Sequence, residues 1–304
     1  MKRLFTLAIT LMATGTLSAQ HPDGGISEAM LNDIRSSHTM TQADRAAHNA
    51  LAQSPIATLA INADNLAMID THFSHRVKTK GITDQHQSGR CWLFTGLNVL
   101  RADMIEKYDM SSMKFSHNYL FFFDQLEKCN LFLQAVIDTK SLPMEDRQVE
   151  WLFKNPLSDG GQFTGVSNLI MKYGVVPKEA MPETYQSNNT SGMLNILRQK
   201  LREYALELRA MKPAQTAARK EAMLSEIYRI LVECVGVPPT EFEWTRYDKQ
   251  GNVVSKKMYT PKSFYDEYIG EDLEGNYIMV MNDPSREYGK VYEIEYDRHV
   301  YDGE

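Results

Sequence analysis

The sequence predicts an α+β chain, because helical periodicity runs from Ile26 to Val235 and strand-like alternation begins only at Phe242. Helices followed by strands, rather than the two in alternation, is the order of that class. With 304 residues, 43% of them hydrophobic and 24% charged, the chain can bury one large core or two modest ones. Its 33 basic and 39 acidic residues, a net charge of -6, are mixed along the sequence. No polyanion-binding surface is expected, which excludes nucleic acid and anionic membrane as partners.

Lys2 and Arg3 precede an apolar run from Leu4 to Leu17 that closes on Leu17-Ser18-Ala19. This reads as a secretory signal, residues 1–19, cut after Ala19. A run of roughly fourteen residues is shorter than the ~20 a membrane-spanning helix needs, so no span is expected after cleavage. The mature protein is expected to be exported, periplasmic or extracellular. Residues 20–80 form an arm and approach segment, with a polar helical pattern from Ile26 to Gln53 suited to a solvated surface.

Residues 81–190 make the next unit. Cys91 opens an amphipathic helix in which Leu93, Leu97, Leu100 and Met104 recur at three- and four-residue spacing and must face a core. Ser116 caps a second, apolar helix through Tyr119, Leu120, Phe123, Leu126, Phe132 and Val136. The turn Asp159-Gly160-Gly161 leads into a third helix that stops at Gly174, ahead of Pro177. Residues 191–270 read as an insertion. It holds two charged helices near Ser191–Met211 and Ala214–Val235, then a hairpin of Phe242–Tyr247 and Val253–Tyr259 around Asp248-Lys249-Gln250-Gly251-Asn252, then a short helix from Thr260-Pro261. Residues 271–304 would begin a β half, with strands at Tyr277–Met281 and Val291–Tyr296.

An exported chain could form disulfides, but the three cysteines leave at least one thiol free, and Cys91 is the candidate. Cys129 and Cys234 lie among large apolar residues and read as small buried hydrophobes, with a bridge between them the alternative. A cysteine attacks a carbonyl as thiolate, and the unpaired amides of a helix start favour negative charge. Cys91 after the flexible Gly89 therefore stands where such a nucleophile is needed.

Gln85 six residues before Cys91, and Trp92 directly after it, match the arrangement of papain-like cysteine peptidases. Papain favours a small residue just before the nucleophile. Ser88-Gly89-Arg90-Cys91-Trp92, with Asn98 and Arg101 downstream, instead resembles the bleomycin hydrolase and aminopeptidase C branch. Further segments agree in order: Ser116-His117-Asn118-Tyr119-Leu120-Phe121-Phe122, Asn155-Pro156, Asp159-Gly160-Gly161-Gln162, Lys172-Tyr173-Gly174-Val175-Val176-Pro177 and Asn282-Asp283-Pro284.

The resemblance implies a papain-like fold whose β-barrel half is largely missing here, and a peptidase that trims amino-terminal residues from peptides. It makes Cys91 the nucleophile and Gln85 an oxyanion donor, and it makes Gly160 and Gly161 a strip approached by substrate backbone. It also implies a homo-oligomer, a hexameric ring in the family, and no cofactor. The family's catalytic histidine and its orienting asparagine follow far downstream, yet no histidine lies between His117 and His299. His299 lacks the small apolar neighbours of the family's base, so the expected histidine would lie beyond Glu304. His86 is expected to face solvent. The other histidines show no metal spacing, so no metal is implied. Two functions follow: a cysteine aminopeptidase that is weak or inactive as this chain, or an exported non-catalytic module that binds peptides or forms oligomers.

Overall fold

The computed structural model describes residues 24–76, 80–278 and 280–292. The signal read at residues 1–19, His299 and most of the strand expected at Val291–Tyr296 lie outside them. The chain divides into two compact units, Met1–Ser74 and His75–Glu304.

In the first unit α1 (Glu28–Ser36), α2 (Gln42–Gln53), α3 (Ile56–Leu59) and α4 (Ala63–Ala67) bury no residue. The helical pattern from Ile26 to Gln53 is split in two because Thr41 begins a helix of its own. Its hydroxyl accepts the Asp44 amide while the Asp44 carboxylate accepts the Thr41 amide.

The second unit is built around α5 (Cys91–Lys107) and α6 (His117–Asp138). Leu93, Leu97, Leu100 and Met104 are all buried, as their spacing predicts, and Trp92, Phe94 and Ile105 bury further faces of α5. α5 packs against α8 (Phe163–Tyr173), where a β-carbon on Gly96 would stand 2.8 Å from a Val166 methyl. That glycine lets the two helices come together. Ser116 caps α6 as expected, its hydroxyl accepting the Tyr119 amide at 3.0 Å. Asn118 donates to the carbonyls of Pro182 and Val235, both at 2.8 Å.

α7 (Arg147–Lys154) is a helix that sequence reasoning did not identify, although Asp146 caps it and Val149 and Leu152 form its buried face. α9 (Tyr185–Asn188) is a single turn. α10 (Ser191–Ala210) and α11 (Pro213–Val235) lie on α6, burying Leu194, Leu197, Leu201 and Leu208 from one and Met223, Ile227 and Leu231 from the other. β1 (Phe242–Tyr247) pairs antiparallel with β2 (Val253–Tyr259), with the ends predicted from sequence, and Asp248 accepts the Gln250 and Asn252 amides in the turn. α12 (Pro261–Tyr268) sets Phe264 and Tyr268 edge-on against Trp244.

The strand expected at Tyr277–Met281 does not form among its described residues, and no other described strand joins the hairpin. A strand exists through a partner ladder, and this segment has none: Ile278 is 81% and Val280 91% exposed. Among the described residues the architecture is thus helical with one hairpin.

Gly174 ends α8 at φ 74°, and a β-carbon there would lie 2.4 Å from the Pro261 carbonyl group at the start of α12. Gly251 in the hairpin turn also has positive φ, 86°, but open space around it. Gly174→Ala should therefore cost about 2 to 4 kcal/mol, strain plus clash, and Gly251→Ala only the ~1 to 2 kcal/mol of strain. Thermal melts of the two variants check this, and equal losses would contradict the docking of α8 on Pro261.

Candidate active site

The approach to Cys91 is a chain segment that α5 itself fastens down. Asn98 donates to the Thr83 hydroxyl at 2.6 Å and Arg101 to the Gly81 carbonyl at 2.9 Å. The turn then closes on reciprocal bonds: the Gln85 side-chain amide donates to the Ser88 carbonyl at 2.5 Å, and the Ser88 hydroxyl donates to the Gln85 carbonyl at 2.7 Å. A carboxamide carries two N–H donors, so Gln85 keeps one for another acceptor. His86 between them has φ 54° and a half-exposed ring, 3.6 Å from the Asp84 carboxylate.

Asp159 fixes the end of this segment. Its carboxylate accepts the Gly89 amide at 2.7 Å and the Thr190 hydroxyl at 2.6 Å, and its carbonyl accepts the Trp92 indole at 2.9 Å. Burial works against the charged carboxylate, but the Thr190 and Gly89 bonds and the nearby Lys128 hold its pKa below the usual value. A β-carbon at position 89 would fall 2.4 Å from the Asp159 oxygen, so the site demands glycine there for space.

Arg90 is fully buried. It donates to Glu183 at 2.9 Å and to the Ser88 hydroxyl at 3.0 Å, and its guanidinium lies over the rings of Phe94 and Phe121. Burial lowers its pKa, and Glu183 opposes that.

Cys91 follows as the first residue of α5 and is exposed, as the sequence predicts. Cys129 and Cys234 are free thiols, Cys129 buried and Cys234 half-buried, so the alternative of a bridge between them is not what forms. Burial raises the pKa of both. Gly160 and Gly161 are exposed beside Asp159. A β-carbon on Gly160 would meet nothing nearer than the Ser158 hydroxyl at 3.9 Å, so the fold itself does not require glycine there. The Gly160 carbonyl accepts Lys128 at 2.6 Å. Sequence reasoning singled out neither Lys128, Glu183 nor Thr190, and treated Asp159 only as part of a turn.

His117 stacks on Phe94 with centroids 3.6 Å apart and is 7% exposed. Burial, then the charges of Arg90, Arg101, Lys114 and Lys178, push its pKa down to about 3. It is neutral at pH 7.

Two measurements test this geometry. Iodoacetamide at neutral pH, followed by peptide mapping, should label Cys91 first, since the other two thiols are shielded and held protonated; faster labelling of Cys129 or Cys234 in the folded chain would contradict it. The second concerns acid. An unfolded His117 binds its proton near pH 6.5 and the folded one only near 3, so the unfolded state holds the extra proton between them. Stability present above pH 6.5 is then lost as pH falls toward 3, at up to ~1.4 kcal/mol per pH unit from this residue. Denaturant titrations of His117→Gln across that window should show a shallower fall than the parent, and parallel curves would refute the assignment.

The family model of the Peptidase C1-like family matches residues 25–304. Aminopeptidase C of Lactobacillus delbrueckii subsp. lactis is 36% identical over 285 residues, covering 91% of this chain and 63% of that protein. Bleomycin hydrolase of Homo sapiens is 38% identical over 237 residues, covering 74% of this chain and 52% of that protein. The crystal structure of PepW from Lactobacillus rhamnosis superposes with a TM-score of 0.76 at 35% identity, over 82% of this chain and 57% of that one. The chain therefore spans between about half and just under two thirds of these proteins' length. It carries the helical half of the papain-like α+β fold, together with the inserted helices and hairpin. With its exposed cysteine at a helix start, the chain belongs to the Peptidase C1-like family.

Proposed function

We propose that the protein is a cysteine aminopeptidase of the aminopeptidase C and bleomycin hydrolase type, acting on peptides through Cys91, with weak turnover in this 304-residue chain. The observation that carries the proposal is an exposed thiol opening a buried helix, behind a glutamine whose carboxamide is fixed by a reciprocal pair of bonds. The Cys91 thiolate would attack the peptide carbonyl carbon, forming a C–S bond while the π pair moves onto oxygen. The remaining Gln85 N–H and the first-turn amide of Cys91, which has no intrahelical acceptor, suit that developing charge. Substrate backbone would lie along Gly160 and Gly161, where no side chain stands in the way.

The second half of the reaction supports weak turnover. The departing amine must receive a proton, and His117 is buried, stacked and neutral, while His86 lies beside Asp84. Lack of an acid and base costs about 10² to 10⁴ in rate. The apolar run ending at Ala19 supports export, which makes peptides outside the cytoplasm the substrates. Self-association is part of the proposal, supported by exposed apolar residues such as Ile278, Val280 and Val291. The placements of His117 and His86 also favour a second reading, an exported module that binds peptides without turnover.

The test separates attack from leaving-group protonation. The purified chain should hydrolyse aminoacyl-coumarin amides barely above background. An aminoacyl p-nitrophenyl ester, whose leaving group needs no proton, should acylate it stoichiometrically at Cys91, as read by mass spectrometry. Cys91→Ala should abolish the adduct. Absence of acylation in the parent would remove the nucleophile and leave the binding module, and robust amide turnover would overturn the weak-turnover part.

A further inference from the structure

The segment that leads into Cys91 lines a shallow cleft of about 460 Å³ that includes Ser88, Gly89, Asp159, Thr190 and Arg198. Arg198 also lines a second groove, of about 610 Å³, with Trp151, Lys154, Asn195 and Arg202. One side chain thus belongs to both walls, so the second groove adjoins the cleft beside Ser88 and Gly89.

The charge in the second groove is unbalanced. The chain as a whole has a net charge of -6, but the charged residues lining the second groove are Lys154, Arg198 and Arg202, and no carboxylate lines it. Lys154 pairs with Glu150 at 2.9 Å. The two arginines do not rely on acids. Arg198 donates to the Leu157 carbonyl at 2.8 Å and the Asn195 side-chain oxygen at 3.2 Å. Arg202 donates to the carbonyls of Phe153 at 2.9 Å and Lys154 at 3.4 Å. Among the described residues neither forms an ion pair.

Part of this arrangement serves the fold, since Phe153 and Lys154 are in the last turn of α7, whose carbonyls lack intrahelical partners. These bonds use only two of the five N–H groups on each guanidinium. The positive charges remain, four residues apart on α10, a spacing at which like charges repel. An anion between them removes that repulsion and meets donors already fixed in place.

We propose that this groove is an anion subsite of the peptide-binding cleft, in which Arg198 and Arg202 take the carboxylate of an acidic residue in a bound peptide. The inference rests on the cysteine-peptidase reading and gives its substrate class as acidic peptides. The indole of Trp151, 61% exposed on the groove wall, offers the peptide an apolar face.

Trp151 also reports on binding, because Trp92 and Trp244, the other two tryptophans, are buried. An end-blocked hexapeptide with two glutamates and its glutamine counterpart are titrated against the full chain by tryptophan fluorescence. The glutamate peptide should bind ~10-fold tighter, a margin expected for charge-assisted bonds to fixed arginines. Added salt should erode that margin. Arg198→Gln should abolish most of it and Arg198→Lys should keep part. Because Arg198 also holds the Leu157 carbonyl, Lys154→Gln, which leaves every carbonyl bond intact, is measured beside it and should lower the margin ~2-fold. Equal affinity for the two peptides, or a margin unmoved by all three variants, overturns the subsite. Acylation of Cys91 by the activated ester is scored on the same samples. The subsite can thus fail while the peptidase reading stands, and the reverse is equally visible.

Discussion

The carboxylate of Asp159 ties together stretches of chain far apart in sequence, alongside the backbone bonds by which Gln87 meets Asn188 and Thr190. It takes the Gly89 amide before the nucleophile and the Thr190 hydroxyl before α10, while its carbonyl takes the indole of Trp92 on α5. Without it, Gly89 would lose its bond to the turn that precedes Gly160, while Gln87 kept its backbone bonds to Asn188 and Thr190. The arrangement requires two features of its neighbours, both present: a glycine at position 89, for space, and a nearby cation, Lys128, which offsets the desolvation of the charge.

Because this anchor is half-buried and charge-assisted, it is stronger than a neutral hydrogen bond of the same length. It is also selective. Asparagine in its place could still accept the amide, but it would bring N–H groups toward donors already there. The site's architecture is therefore electrostatic at its centre and apolar around it, with Trp92, Phe94 and Phe121 closing the sides.

Local signals in the sequence were legible in detail. Ser116 as a cap, Gly174 as a terminator, the hairpin with its turn and the opening of α5 at Cys91 all depend on residues within a few positions of one another. Cys91 could be singled out as the candidate nucleophile because its neighbours Gln85 and Trp92 lie close in sequence. What could not be read was long-range or short of pattern. Gly89 and Asp159 are 70 residues apart, and Arg90 and Glu183 are 93 apart, so nothing local announces either pair. α7 has only eight residues, too few for a clear period, and its Asp146 cap was the one available cue. The stretch at Tyr277–Met281 has strand-like composition, but alternation records only a preference, and a preference without a ladder partner leaves the backbone irregular.

Arg90 sits between two aromatic faces and an acid, immediately before the reactive thiol. A peptidase loop is usually pictured as a pliant strip that carries its sulfur with it. Here the preceding residue is set in the interior like a post in concrete, so the backbone of Cys91 can move no farther than the core does. Its positional scatter on the picosecond to nanosecond scale should then be that of packed backbone rather than that of a surface loop, with the exposed thiol turning about it. Under the peptidase proposal, accommodation to differently shaped peptides would consequently fall to Gly160 and Gly161, which are exposed and carry no side chain.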